Sequence, residues 1–121
     1  MNKSVTHLKS KAFAVRIIRF YKYLTDEKHE YVLAKQILRS GTSIGANVRE
    51  SYSAQSKADF ISKLHIALKE ADETLYWLEL LVESEIITQS EFDSLATDLK
   101  EICALLASSI KTAKTNNMNQ E

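Results

Sequence analysis

Apolar residues recur along this chain at steps of three and four, the spacing that gathers them on one face of a helix. Phe13, Ile17, Phe20 and Leu24 fall in one narrow stripe, with Ala14 and Tyr21 beside it and Lys9, Arg16 and Arg19 on the other side, which predicts a first helix over 5–24. A polar loop, Thr25-Asp26-Glu27-Lys28-His29, follows, with Thr25 or Asp26 as candidate cap. Leu33, Ile37, Gly41, Ile44 and Val48 then share one face of a second helix over 30–54. A third helix, over 57–84, opens at Ser56-Lys57-Ala58-Asp59, which resembles a capping box, and carries the seam Leu64, Leu68, Ala71, Leu75, Leu78 and Val82. A fourth, over 89–112, opens at the capping box Thr88-Gln89-Ser90-Glu91 and carries Phe92, Leu95, Leu99, Ile102, Leu106 and Ile110. The polar, asparagine-rich tail 113–121 is expected to fray. Four amphipathic helices with short connections predict an all-α chain, folded over 1–121 as a single up-down-up-down antiparallel four-helix bundle.

Composition sharpens this picture at one place. The chain has no proline and only two glycines, which nearly excludes a turn-rich β-sandwich, barrel or propeller. Both glycines, Gly41 and Gly45, fall inside the second helix, in the small-residue segment Ser40 to Ala46. A helical glycine costs roughly 1 kcal/mol relative to alanine. It is tolerated where two backbones must approach closely, or where a helix breaks and restarts; a break near Gly41 with a new cap at Thr42 or Ser43 is the alternative. Close approach is the preferred reading. It makes Gly41, Ser43, Gly45 and Asn47 a helix-packing motif, with Ser43 and Asn47 expected to hydrogen-bond across the contact.

The residues of common catalytic and metal sites are absent as patterns. The di-iron bundle signature needs Glu-x-x-His, but the positions three residues before His7, His29 and His65 are Ser4, Asp26 and Ser62. His65 reads as a boundary residue. Cys103, the one cysteine, falls on the apolar stripe of the fourth helix and reads as a buried structural thiol. Ser43-Ile44-Gly45 lacks the glycines and lysine of a phosphate-cradling loop. The expectation is a non-enzymatic protein with no cofactor, no metal and no small-molecule substrate. No window reaches the roughly 18 apolar residues of a membrane span, and no signal peptide is read, so a cytoplasmic location is expected.

Two features exceed a plain bundle. Ile66, Trp77, Leu80 and Leu81 project roughly opposite the seam of the third helix, a second apolar stripe that needs its own partner. An oligomer interface would supply it; so would the helix's own bundle neighbours or a folded-back terminus. The charges are also segregated. Net charge is zero, from 16 basic and 16 acidic residues, but residues 1–58 carry eleven Lys/Arg against four Asp/Glu, and residues 59–121 carry five against twelve. On a continuous second helix, Lys28, Lys35, Arg39 and Arg49 lie within about 80° of arc. Such a ridge could track the phosphate backbone of RNA. Equally, the basic half could pair with the acidic half, within one bundle or between subunits.

The run Ser40-x-x-Ser43-Ile44-Gly45-Ala46-Asn47-Val48-x-Glu50, followed by Ser56-Lys57-x-x-Phe60 and by Ala67 to Leu81, resembles a known family. These are the small bacterial four-helix-bundle proteins first noticed as open reading frames in intervening sequences of 23S ribosomal RNA genes, also labelled S23 ribosomal proteins. The resemblance spans about Phe13 to Ile110. It implies an up-down bundle that assembles into a homo-oligomeric ring, typically a pentamer. It also brings in the related accessory proteins of diversity-generating retroelements, whose basic rings bind nucleic acid and a reverse transcriptase. Arg39, Ser40, Gly45 and Asn47 match the motif of the second helix, and Glu73 a recurrent glutamate of the third. Ser51 stands where many relatives carry a glycine, which favours a longer second helix here. The functional expectation is therefore a non-enzymatic ring-forming bundle that binds structured RNA or a ribonucleoprotein through a basic ridge on the first two helices. The alternative is an oligomeric protein-interaction scaffold with no nucleic acid.

Overall fold

The computed structural model describes the backbone of residues 2–119 and the side chains of residues 5–116. Four helices follow in order: α1 (Asn2–Asp26), α2 (Val32–Ser51), α3 (Lys57–Glu83) and α4 (Gln89–Asn119). Each packs against its neighbour in sequence, α1 also meets α4, and neither diagonal pair comes together among the described residues. That is the neighbour pattern of an up-down-up-down bundle. The α1–α4 seam is the thinnest of the four.

The core is built from the stripes that the apolar spacing predicts. Phe13, Ile17, Phe20 and Leu24 of α1, Ile37, Ile44 and Val48 of α2, and Leu95, Leu99, Ile102, Leu106 and Ile110 of α4 are all buried. In α3 the buried face is turned toward smaller residues: it runs Leu64, Ala67, Ala71, Thr74, Leu78 and Leu81, while Leu68, Leu75 and Val82 are only half-buried beside it. Both sets have heptad spacing. The deciding factor is the neighbour: α3 packs most extensively on α2, and small side chains such as Ala67, Ala71 and Thr74 let two backbones come close where leucines would hold them apart.

Helix ends follow their local chemistry. Ser56 Oγ accepts the Asp59 N–H at 3.0 Å, and the Asp59 carboxylate accepts the Gln55 N–H at 3.2 Å. At α4 the box is reciprocal: Glu91 N–H donates to Thr88 Oγ1 at 3.1 Å and Thr88 N–H donates to the Glu91 carboxylate at 2.8 Å. The Thr88 N–H, and after it the Tyr23 hydroxyl, hold the Glu91 carboxyl below its ordinary range. The start of α2 differs from expectation. Neither Thr25 nor Asp26 caps it; the Glu30 carboxylate accepts the Val32 and Leu33 N–H groups at 3.1 and 2.9 Å. This shortens α2 at its start, and Ser51 closes it before 54. At the other extreme α4 passes Thr112 and stays helical to Asn119, with Ala113 buried, so the predicted fraying does not begin at 113; residues 120–121 lie outside the described residues.

With no glycine outside α2, the turns use other residues where the backbone turns left-handed. Among the described residues these are His29 (φ 55°) and Glu85 (φ 63°). Glu85 follows the α3 cap Ser84 in a Schellman arrangement, with Ile86 N–H donating to the Leu81 carbonyl at 2.9 Å and Glu85 N–H to the Val82 carbonyl at 3.1 Å. A Cβ in that conformation is unfavourable. Glu85→Gly is therefore expected to stabilise the protein by about 0.5–1 kcal/mol after allowance for glycine's extra freedom in the unfolded chain. Chemical denaturation with unchanged helical content would read this, and a loss of stability would contradict it.

Candidate functional site

α2 is where the sequence concentrates its unusual residues, and the structure gives each of its faces a separate partner. One face lies on α1. The helix runs unbroken through both glycines. A Cβ at Gly41 would stand 2.8 Å from Ile17 Cγ1 and 2.9 Å from Cγ2, and one at Gly45 would stand 3.3 Å from the Ser10 carbonyl oxygen. Ile17 is itself fully buried. Gly41 thus has no room for a side chain, and Gly45 faces backbone. The polar half of the motif works differently from expectation. Ser43 donates to the Arg39 carbonyl at 2.6 Å and Asn47 to the Ser43 carbonyl at 2.8 Å, so both bond back along α2 rather than across to α1.

A second face of α2 lies on α3. Ser40 and Thr74, both fully buried, join their hydroxyls at 2.8 Å. Thr74 also donates to the Glu70 carbonyl at 2.7 Å; a hydroxyl has one proton, so Ser40 is the donor of the pair. One residue away, Arg39 bridges two carboxylates of α3, Glu70 at 3.2 Å and Glu73 more closely. Glu73 in turn accepts the Trp77 indole N–H at 3.1 Å. The hydrogen bond to Glu73 is the main reason that the Arg39 guanidinium is held even more firmly protonated than usual. Arg39, Ser40 and Glu73, matched singly to motif positions in the sequence, therefore form one polar seam with Thr74 and Trp77.

This changes the reading of the basic ridge. Lys28 is not on α2 at all: it sits in the α1–α2 loop with its ammonium 5.6 Å from the centre of the Tyr23 ring. Arg39 is engaged by carboxylates. Lys35 and Arg49 remain exposed, without an ion pair to another described residue. The pattern is general. Lys9 pairs with Glu101 at 3.2 Å, and Arg16 meets Asp98 at 2.6 Å while also bonding Ser94. Of the five ion pairs among the described residues, four join a cation of the first half to a carboxylate of the second; Lys63–Glu50 runs the other way. The two charge blocks seen in sequence thus meet in part inside one bundle, through Lys9, Arg16 and Arg39.

The second apolar stripe of α3 also divides. Leu81 is fully buried in the core and is not an outer residue; its position 60° or so around the helix from Ile66 carries it inward. Trp77 and Leu80 are half-buried, Ile66 is 37% exposed, and Tyr76, which the apolar pattern passed over, is 53% exposed beside Trp77. A larger run of exposed apolar residues lies on α1, where Leu8, Val15 and Ile18 are 60%, 42% and 42% exposed. Its signal was present in the sequence as apolar residues off the core stripe, interspersed with Lys11, Arg19 and Lys22.

Reactive chemistry is sparse. Cys103 is half-buried, and burial, followed by the nearby Asp72 charge, pushes its thiol up, away from the reactive thiolate. No group of three metal-ligating side chains gathers among the described residues. His65 is exposed. No helix of the described residues is long and apolar enough to cross a membrane.

A family model described as "23S rRNA-intervening sequence protein" matches residues 3–108. Among solved structures, a crystal structure of a protein of unknown function from the S23 ribosomal protein family of Bacteroides thetaiotaomicron is 58% identical over 92% of this chain and 99% of that one, with a TM-score of 0.91. No curated protein matches.

The Arg39–Glu73 contact is half-exposed on the arginine side, which screens it. A double-mutant cycle with Arg39→Ala and Glu73→Ala is expected to give a coupling of about 0.5–1 kcal/mol in urea denaturation at low salt, falling in molar salt. A coupling indistinguishable from zero would remove Arg39 from the α2–α3 seam.

Proposed function

The chain belongs to the 23S rRNA-intervening sequence protein family, and from that premise we propose that it is a non-enzymatic, self-associating helical bundle, a ring of five by family resemblance. In this reading the α1 surface supplies the protein contact and the cations left over on α1 and α2 supply a weak, sequence-independent hold on RNA or a ribonucleoprotein. The observation that carries the first half is the exposed α1 run of Leu8, Val15 and Ile18. Apolar residues interleaved with lysines and arginines suit an interface with a wet, charged rim. Ile66 and Tyr76 on α3 are exposed as well.

The RNA half rests on Lys11, Arg19, Lys22, Lys35 and Arg49, which are exposed and carry no ion pair to another described residue. Lys35 and Arg49 lie on one side of α2, about 21 Å apart along the axis at 1.5 Å per residue. That spacing suits contacts to phosphates several nucleotides apart. Because Arg39 is tied to Glu70 and Glu73, the hold would involve few phosphates and be readily screened. The same tie favours a second reading, a protein scaffold with no nucleic-acid role. An enzyme is the reading with the least support, since the described residues assemble no nucleophile with its base.

Light scattering of the purified protein is expected to give a mass several times that of one chain, and Val15→Glu with Ile18→Glu to lower it while helical content survives. A monomer at high concentration would end the self-association reading. In fluorescence anisotropy, wild type is expected to bind a structured RNA at low salt with an affinity that falls steeply with salt, and Lys35→Glu with Arg49→Glu to weaken it at least threefold. Absence of salt-sensitive binding in wild type would leave the scaffold alone.

A further inference from the structure

Among the described residues, one end of the bundle is hollowed in a way that the fold alone does not require. There the start of α3 meets the start of α1 and the last turns of α2 and α4, around a cavity of about 390 Å³. That is within the size range of small-ligand sites. Phe60, Leu64 and Ala113 give it an apolar wall, and Lys57 is the one charged side chain that lines it. Lys57 is half-buried and makes no ion pair with another described residue. As the first residue of α3, immediately after the Ser56 cap, it also stands at the positive end of the helix dipole. Thr6 also lines it, 3% exposed, and its buried hydroxyl has no hydrogen-bond partner among the described residues. Buried hydroxyls are nearly always paired.

We propose that this end of the bundle binds a small amphipathic carboxylate, with its apolar tail against Phe60, Leu64 and Ala113 and its head at Lys57 and the α3 N-terminus. The sign follows from the lining: a lone cation with no acidic neighbour in the wall selects an anion. A single cation in otherwise apolar and neutral surroundings suits a monoanion such as a carboxylate better than a multiply charged phosphate, whose second charge would go unmatched. Nothing in this site draws on the exposed surfaces of α1 and α2, so it stands independently of the functional reading above.

The probe is octanoate, titrated into the full-length protein and followed by calorimetry, with octan-1-ol as the uncharged comparison. Octanoate is expected to bind saturably and raise the melting temperature as ligand linkage requires, with octan-1-ol at least tenfold weaker. Lys57→Met, which keeps an apolar stem and leaves the helical spectrum unchanged, is expected to weaken octanoate tenfold or more and to make the two probes alike. In wild type, amide NMR shifts on addition of octanoate are expected to centre on Thr6, Lys57, Phe60 and Leu64. No saturable binding, equal affinity for octan-1-ol and octanoate in wild type, indifference to Lys57→Met, or shifts centred elsewhere would each overturn the proposal.

Discussion

The structure turns on how closely α2 can lie against α1. Gly41 rests on the branched side chain of Ile17, fully buried and stiff at χ1, and Gly45 rests on the Ser10 backbone. A Cβ at Gly41 would force Ile17 to shift, and one at Gly45 would press on the Ser10 carbonyl. Once α2 is seated there, its remaining faces are assigned by geometry. Ile37, Ile44 and Val48 enter the core, Ser40 is turned into α3 to meet Thr74, and Arg39 lands at the rim within reach of Glu70 and Glu73. A chain that avoids glycine everywhere else accepts left-handed His29 and Glu85 in its turns. Its two glycines are kept for packing.

That division explains what could be read from the sequence. Helix number, the core stripes of α1 and α4, the Ser56 cap, the Thr88–Glu91 capping box and the close approach at the glycines follow from local spacing and local chemistry. The misplaced residues all depend on a neighbour that spacing does not name. Leu81 and Val82 are equally good seam residues until α2 comes near enough to favour the face with Ala67, Ala71 and Thr74. Lys28 fits a ridge only if α2 starts before Glu30, and the Glu30 carboxylate caps the helix instead. Arg39 reads as a free cation until α3 presents two carboxylates. Thr74, an ordinary helical threonine in sequence, becomes the buried partner of Ser40 for the same reason.

The zero net charge takes on a definite meaning. The basic first half and acidic second half meet across the α1–α4 and α2–α3 seams, where Lys9, Arg16 and Arg39 pair with carboxylates of the second half. Such exposed pairs add little stability one by one. They matter more by disfavouring other pairings of four similar helices, since a wrong neighbour would bring like charges together. Among the described residues, Lys11, Arg19, Lys22, Lys35 and Arg49 are left outside these pairs, with Leu8, Val15 and Ile18 exposed on α1.

The central claim, that direct contact between Gly41 and Ile17 seats α2, has a test in the sign of one substitution measured in two backgrounds. Alanine is favoured over glycine in a helix by about 1 kcal/mol, whereas crowding a packed core costs about 1–3 kcal/mol. Denaturant unfolding of Gly41→Ala in wild type should therefore show a loss of stability. In an Ile17→Ala background, which removes both Cγ atoms that the new methyl would strike, the same Gly41→Ala change should stabilise the protein. A stabilising effect in wild type, or the same destabilisation in both backgrounds, would contradict the account.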